Sequence, residues 1–213
     1  MEDRLEHAEL VGEQTFVAAG AVVPVAPIHA ALVAAKHKRV GETGAQMRTA
    51  RGRGLELIKG KPSESIRQIA KDAYRLHISR NLIGPSVDRA RQHLAHGDSV
   101  WLVTASPQYL GNIIATDLGL TGALGTLVEE HDGVATGQLL GEPLHGPLKV
   151  DAIRRVAREQ GVELADCWAY SDSINDVPML TAVGHPVAVN PDAALRAYAR
   201  LHGWEILGKR KKR

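Results

Sequence analysis

The chain has 213 residues and a mass of 22.9 kDa, with 44% apolar, 23% charged and 4% aromatic residues, a composition that suits one ordinary globular unit. A chain of this size buries roughly 70% of its unfolded surface, so it needs no covalent staples, and the lone Cys167 excludes both a disulfide scaffold and a multi-cysteine zinc site. The formal charge is +2, but the last five residues, Lys209 to Arg213, are all basic and the remainder carries a small negative excess. The high pI therefore belongs to a tail, which excludes a basic nucleic-acid-binding body.

The first residues are acidic, with Glu2, Asp3, Glu6, Glu9 and Glu13 against Arg4, so no secretory signal is expected and a cytoplasmic location is. Phe16 to Ala35 is long and apolar. Gly20, Pro24, Pro27 and His29 interrupt it, however, and its Ala/Val content is weak for a spanning helix, so a membrane span is disfavoured. From Gly41 to Gly97 the apolar spacing is helical: Met47, Ala50, Leu55 and Ile58, then Ile66, Ile69, Ala73, Tyr74 and Ile78. A third helix runs from Pro85 through Val87, Ala90 and Leu94 to Gly97.

After Gly97 strand and helix alternate. Ser99 to Thr104 reads as a strand covered on both faces, and Ser106-Pro107 as the cap and first position of a helix facing inward through Leu110, Ile113, Ile114 and Leu118. Leu124 to Glu130 and Val134 to Leu140, joined by Asp132-Gly133, read as a hairpin. A helix with Val150, Ile153 and Val156 leads to a strand at Cys167 to Tyr170, and a short helix leads to another at Val187 to Val189. This alternation predicts an α/β fold with a Rossmann-like parallel sheet and a helical cap. The expected divisions are an atypical segment at 1–40, a helical cap region at 41–97, an α/β core at 98–207 and a basic tail at 208–213.

In such a sheet the chemistry lies where the strands end. Thr104-Ala105-Ser106 offers a hydroxyl and free backbone N–H groups at a helix start, suited to a phosphate, although a simple cap would read the same way. Lys149, in the first turn of a helix opened by Gly146-Pro147, opposes the helix dipole unless it faces an anion; a solvated surface lysine is the alternative. Asp172, Asn175 and Asp176 crowd one turn after the Trp168 to Tyr170 strand. They suit a hard cation such as Mg²⁺, or else form an acidic capping turn.

Hydroxyl, lysine and acidic pair in this order resemble the haloacid dehalogenase superfamily, in its phosphoserine-phosphatase-like branch. The resemblance is sharpest at Tyr170 to Leu180 and Val183 to Asp192, with Leu120 to Glu130 and Gly141 to Lys149 in support, and covers roughly Gly41 to Leu207. It implies a Mg²⁺-dependent phosphomonoester hydrolase working through an aspartyl-phosphate. Thr104 would bind phosphate with Ala105 and Ser106, and Lys149 would steady the phosphoryl charge. Asp172 would ligate Mg²⁺, Asp176 would support the metal shell and the lysine, and Asn175 would lie near the phosphoryl group. The cap, through residues such as Arg48, Arg51, Arg67 or Tyr74, would choose a small phosphorylated substrate.

One family feature is absent: no Asp-x-Asp occurs in the chain, although the family's first strand ends in that pair, nucleophile first and general acid-base second. Two readings stand. Either that strand precedes Met1 in a fuller enzyme and the sheet here has a gap, or Phe16 to Ala35 supplies a strand without the nucleophile. In both, phosphate-ester turnover is expected to be very slow or nil, and the competing class is a non-catalytic phosphate-binding module.

Other sites are weaker. Gly141 to Gly146 lacks the lysine of a nucleotide-binding loop, and no Gly-x-Ser-x-Gly elbow occurs. His93 and His96 share a helical face without a third ligand, and Cys167 reads as a core residue.

Overall fold

The computed structural model describes residues 15–17, 44–79, 82 and 84–208, with the backbone alone at 15–17 and 44–50. In chain order these are β1 (Thr15–Val17), α1 (Gly44–Ile58), α2 (Ser63–Ala73) with a π-helical turn (Tyr74–Ile78), α3 (Gly84–His96), β2 (Val100–Pro107) and α4 (Gln108–Leu118). They continue with β3 (Gly122–Thr126), β4 (Val128–His131), β5 (Val134–Leu139), α5 (Pro147–Gln160), β6 (Trp168–Ser171), α6 (Val177–Leu180), β7 (His185–Val189), α7 (Ala193–Leu201) and β8 (Glu205–Leu207). The predicted boundaries 1–40 and 208–213 fall largely outside the described residues, as does most of Phe16 to Ala35. Among the described residues no helix is long and apolar enough to cross a membrane.

Six strands form one parallel sheet in the order β3-β2-β1-β6-β7-β8. Alternation along each strand sends side chains to two faces. Val103, Ala169, Ala188 and Leu124 pack with Ile153, Val156, Leu180 and Leu195 from α5, α6 and α7. On the other face Val100, Tyr170, Val187 and Val189 meet Ala90 of α3, and Leu102 and Ala123 meet Ala115 of α4. Strands apolar on both faces are what a sheet sandwiched between two helix layers requires.

Of the two readings, a gap in the sheet or a strand supplied from Phe16 to Ala35, the gap is not there, and the strand lies at the start of that stretch. β1 fills the central slot, pairing Thr15 with Val100 and Trp168, and Val17 with Leu102 and Tyr170. The strand order turns back between β1 and β6, so the chain connections diverge there, the place where open α/β sheets carry their ligands.

Three other expectations change. β2 does not stop at Thr104 but runs to Pro107, because Pro107 still pairs with Thr126 and the Thr126 hydroxyl holds the Ala105 carbonyl at 2.8 Å. The hairpin is confined to β4 and β5, with Asp132 and Gly133 both at positive φ as its tight turn demands; Leu124 instead belongs to β3, where its side chain enters the core. Finally, the third helix of the predicted cap region, α3, packs on the sheet and is tied to it by His93, which bonds Asp98 and the Tyr170 hydroxyl at 2.8 Å each.

Helices α1 and α2 take a different place. Ile58 and Ile66 pack with Ala135 of the hairpin, and the turn between the helices bonds to Gly133 and Ala135. Beyond it, Ala73, Tyr74 and Ile78 lie against Leu110, Ile113 and Ile114 of α4.

Gly184, just ahead of β7, explains one residue of the quoted Val183 to Asp192 stretch. Its N–H donates to Leu164 O at 2.9 Å, and a Cβ there would fall 1.7 Å from Ala165 O, a backbone atom that has no room to yield. Gly184→Ala should therefore destabilise the fold by about 1–3 kcal/mol. Gly54→Ala, in open space on α1, should stabilise by about 0.5–1 kcal/mol. Urea unfolding of the two variants reads opposite signs if the packing is as described.

Candidate active site

Lys149 enters the core because Gly146, at φ 53°, turns the chain sharply and Pro147 opens α5 directly behind it. Its side chain is buried, which removes the solvated-lysine reading. The ammonium donates to Asp176 Oδ1 at 2.6 Å. The other oxygen of Asp176 accepts from the Ser171 hydroxyl at 2.7 Å. All three residues are 4% exposed or less, so both charges are compensated inside the protein rather than by water.

Ser171 closes β6 and was not among the predicted residues. Its oxygen also accepts from the Ser173 N–H at 3.2 Å, so one hydroxyl joins the strand end, the acidic loop and Asp176. A hydroxyl directly before Asp172 was the available signal, but in sequence it looks like an ordinary strand terminus.

Asp172 follows. Its Oδ1 is buried with no hydrogen-bond partner among the described residues. Burial pushes its carboxyl up to about 6; the charges of Asp176 and Asp192 push the same way, against its own backbone hydrogen bond and Lys149. Asn175 lies at the exposed rim, its N–H bonded to the Ser173 hydroxyl at 3.3 Å.

Thr104 stands on the far side of β1, near the end of β2, and is 8% exposed. Its Oγ1 accepts from the Ser106 N–H at 3.1 Å, leaving its own proton to donate. That bond corrects part of the phosphate-cradle expectation, because the Ser106 N–H is already engaged. Ser106 is also not the helix cap: α4 starts at Gln108, behind Pro107, since the strand pairing persists past Ser106. Ala105 is exposed, with its carbonyl held by Thr126.

The structure thus gathers Lys149, Asp172 and Asp176 on one side of β1, sets Thr104 on the other, and leaves Asn175, Ala105 and Ser106 at the edge. The chain carries no Asp or Glu between Glu13 and Glu42, so the residues following β1 bring no carboxylate. Among the described residues no group of three or more His, Cys, Asp or Glu could hold a metal. His93 is committed to Asp98 and Tyr170, and burial pushes the Cys167 thiol up to about 12, leaving it a core group.

Two of the side chains considered for substrate choice are already in use. Arg67 holds both oxygens of Glu130, at 3.0 and 2.8 Å, tying α2 to the hairpin, and the buried Tyr74 donates to Asp117.

The raised carboxyl of Asp172 has a definite consequence for stability. The folded chain keeps that proton up to about pH 6, whereas the unfolded chain loses it near 3.8, so in metal-free protein this residue's contribution falls as pH rises between those values. Urea unfolding in chelator should show Asp172→Asn gaining stability relative to the parent between pH 4 and pH 7. A difference independent of pH contradicts the burial of Asp172.

Comparison with known proteins identifies the family. The family model for haloacid dehalogenase-like hydrolases matches residues 12–181. The match reaches back well before Gly41, where the resemblance was expected to begin, and takes in β1. Phosphoserine phosphatase SerB1 of Mycobacterium tuberculosis is 44% identical over 173 residues, covering 81% of this chain and 56% of its own length. The inhibition of morphological differentiation protein of Streptomyces azureus is 35% identical over 163 residues, covering 76% of this chain and 58% of its own. The chain therefore spans little more than half the length of these curated relatives. A crystal structure of a protein of unknown function from Bordetella pertussis Tohama I superimposes with a TM-score of 0.74 at 27% identity, covering 92% of this chain and 97% of that one. A substrate-bound phosphoserine phosphatase shares the fold, with a TM-score of 0.57 at 24% identity and coverage of 76% and 72%. A family match that takes in the central strand, the lysine helix and the acidic loop makes this chain a member of the haloacid dehalogenase-like hydrolases.

Proposed function

We propose that the carboxyl edge of the sheet is a phosphomonoester site of the phosphoserine-phosphatase type, and that this chain binds a small phosphorylated ligand there with Mg²⁺ while hydrolysing it very slowly or not at all. The observation that carries this reading is the buried Lys149–Asp176–Ser171 network beside an Asp172 oxygen without a partner among the described residues, a pairing of cation and carboxylate at the sheet's switch point. The relatives named as phosphatase and hydrolase point the same way.

Each residue has a distinct task. Lys149, fixed by Asp176, holds a positive charge against a phosphoryl oxygen, and Thr104 donates its hydroxyl proton to another. Asn175, at the exposed rim, would add a contact to the phosphoryl group. The donor set fits Mg²⁺ through Asp172 together with the ligand's own phosphate and water, the pattern this ion prefers. Bound there, Mg²⁺ supplies charge neutralisation on the phosphoryl oxygens. With Arg67 and Tyr74 engaged, recognition of the rest of the ligand falls to residues such as the exposed Arg51.

Slow or absent turnover follows from composition. An aspartyl-phosphate needs a carboxylate at the end of the central strand, and the sequence from Thr15 to Gly41 contains none. The same fact supports a phosphate-binding module as the working form of this chain.

Titration calorimetry of the full chain with inorganic phosphate, with and without Mg²⁺, is expected to show Mg²⁺-dependent binding that Asp172→Asn weakens by at least about tenfold. In parallel, p-nitrophenyl phosphate should release no phosphate above background. Absence of phosphate binding overturns the site, and Mg²⁺-dependent release abolished by Asp172→Asn overturns the claim of inactivity.

A further inference from the structure

The stretch Val183 to Asp192, sharp in sequence and so far accounted for only by its packing, ends on the aspartate that touches the acidic loop. We propose that Asp192 is the positioning residue of the site: it anchors the loop from Asp172 to Ile174 and thereby fixes how Asp172 is presented. The proposal rests on the reading of Asp172 as the Mg²⁺-binding carboxylate.

Three hydrogen bonds carry it. The Asp192 N–H donates to the Asp172 carbonyl at 2.8 Å. Its Oδ2 accepts from the Ile174 N–H at 3.0 Å, and its Oδ1 accepts from the Leu195 N–H at 2.7 Å. The last bond caps α7 in the ordinary way, a task one oxygen of Ser, Thr or Asn would perform as well. The first two are not capping bonds. They grip the main chain on either side of Ser173, so that residue 172 is held by its carbonyl and residue 174 by its amide. Asp192 caps the helix with one oxygen and holds the loop with the other, a division that the shorter, single-oxygen side chain of Ser does not offer.

The approach to Asp192 is itself constrained. Asn190 has φ 44°, and its N–H bonds to Leu207 O at 2.9 Å, tying the turn to β8. Pro191 is buried and its carbonyl accepts from Arg196 at 3.4 Å. The turn that delivers Asp192 to the loop is thus built on the sheet edge and on α7, both rigid elements, and the loop takes its position from them.

Asp192→Ser separates the two roles, because a serine hydroxyl retains the cap to Leu195 and is too short to reach Ile174. In the full-length variant the urea midpoint and the amide protection of Leu195 should stay near the parent values. Exchange of the Ile174 amide should rise at least tenfold, and Mg²⁺ affinity measured by calorimetry should fall about 10–100-fold. Unchanged Ile174 exchange overturns the proposal. Raised exchange with unchanged Mg²⁺ affinity overturns it too, since Asp192 would then be structural only. Failure of the underlying reading shows separately, as a parent chain whose Mg²⁺ affinity Asp172→Asn does not lower; Ile174 exchange, which needs no metal, then decides whether Asp192 anchors the loop.

Discussion

A lysine ammonium and an aspartate carboxylate 2.6 Å apart, both almost wholly out of water, set the terms for the rest of this site. Neither charge is tolerable there alone: removing one partner of such a pair costs about 3–5 kcal/mol, because the other is left buried and uncompensated. The demand reaches outward. α5 must start where it does to deliver Lys149, β6 must end on Ser171 to satisfy the second oxygen of Asp176, and the loop between Ser171 and Asp176 must turn tightly enough to bring both to the pair. Replacing the pair with apolar groups is physically open to the fold and would cost it little. What an apolar pair lacks is a fixed positive charge beside the strand ends, which the proposed phosphate site would require.

The sheet supplies the second constraint. With β1 between β2 and β6, Thr104 is separated from Lys149 and Asp172 by one strand, so a ligand bound as proposed would be met from both sides. The central strand would be the natural source of a nucleophile, and here it is followed by a run without a single carboxylate. The account therefore splits recognition from reaction. Lys149, Thr104 and Asp172 are present for the proposed recognition, and the stretch after the central strand carries no carboxylate that could form a covalent intermediate.

How much of this was legible in sequence depended on the kind of signal. Lys149, Asp172 and Asp176 stood out because charged residues at strand and helix junctions need partners, and that need is visible without coordinates. The two-layer core was equally legible from continuous apolar runs such as Val100 to Val103. β1 was legible only as one of two alternatives, because three residues, Thr15 to Val17, at the edge of a longer Ala/Val-rich stretch carry no periodicity, and their assignment rests on pairing with strands more than 80 residues away in sequence. Ser106 misled for a related reason: Ser-Pro is a good helix opening locally, but pairing with β3 holds the chain extended past it. Ser171 and Asp192 act through hydrogen bonds to partners set by tertiary structure, so sequence could show them as part of a familiar stretch without showing their work. Helix α3 looked like its two predecessors, and only contacts with Tyr170 and Val187 reveal that it belongs to the sheet.

The central claim is that Lys149 and Asp176 act as one buried unit that organises the anion site. A double-mutant cycle with Lys149→Met, Asp176→Leu and the double variant, read by urea unfolding, tests it most directly. The account predicts single losses of about 3–5 kcal/mol each and a double variant far more stable than their sum, since removing both charges leaves neither stranded. Additive losses would contradict it, showing that the two side chains contribute separately and that the site is not built around their pairing.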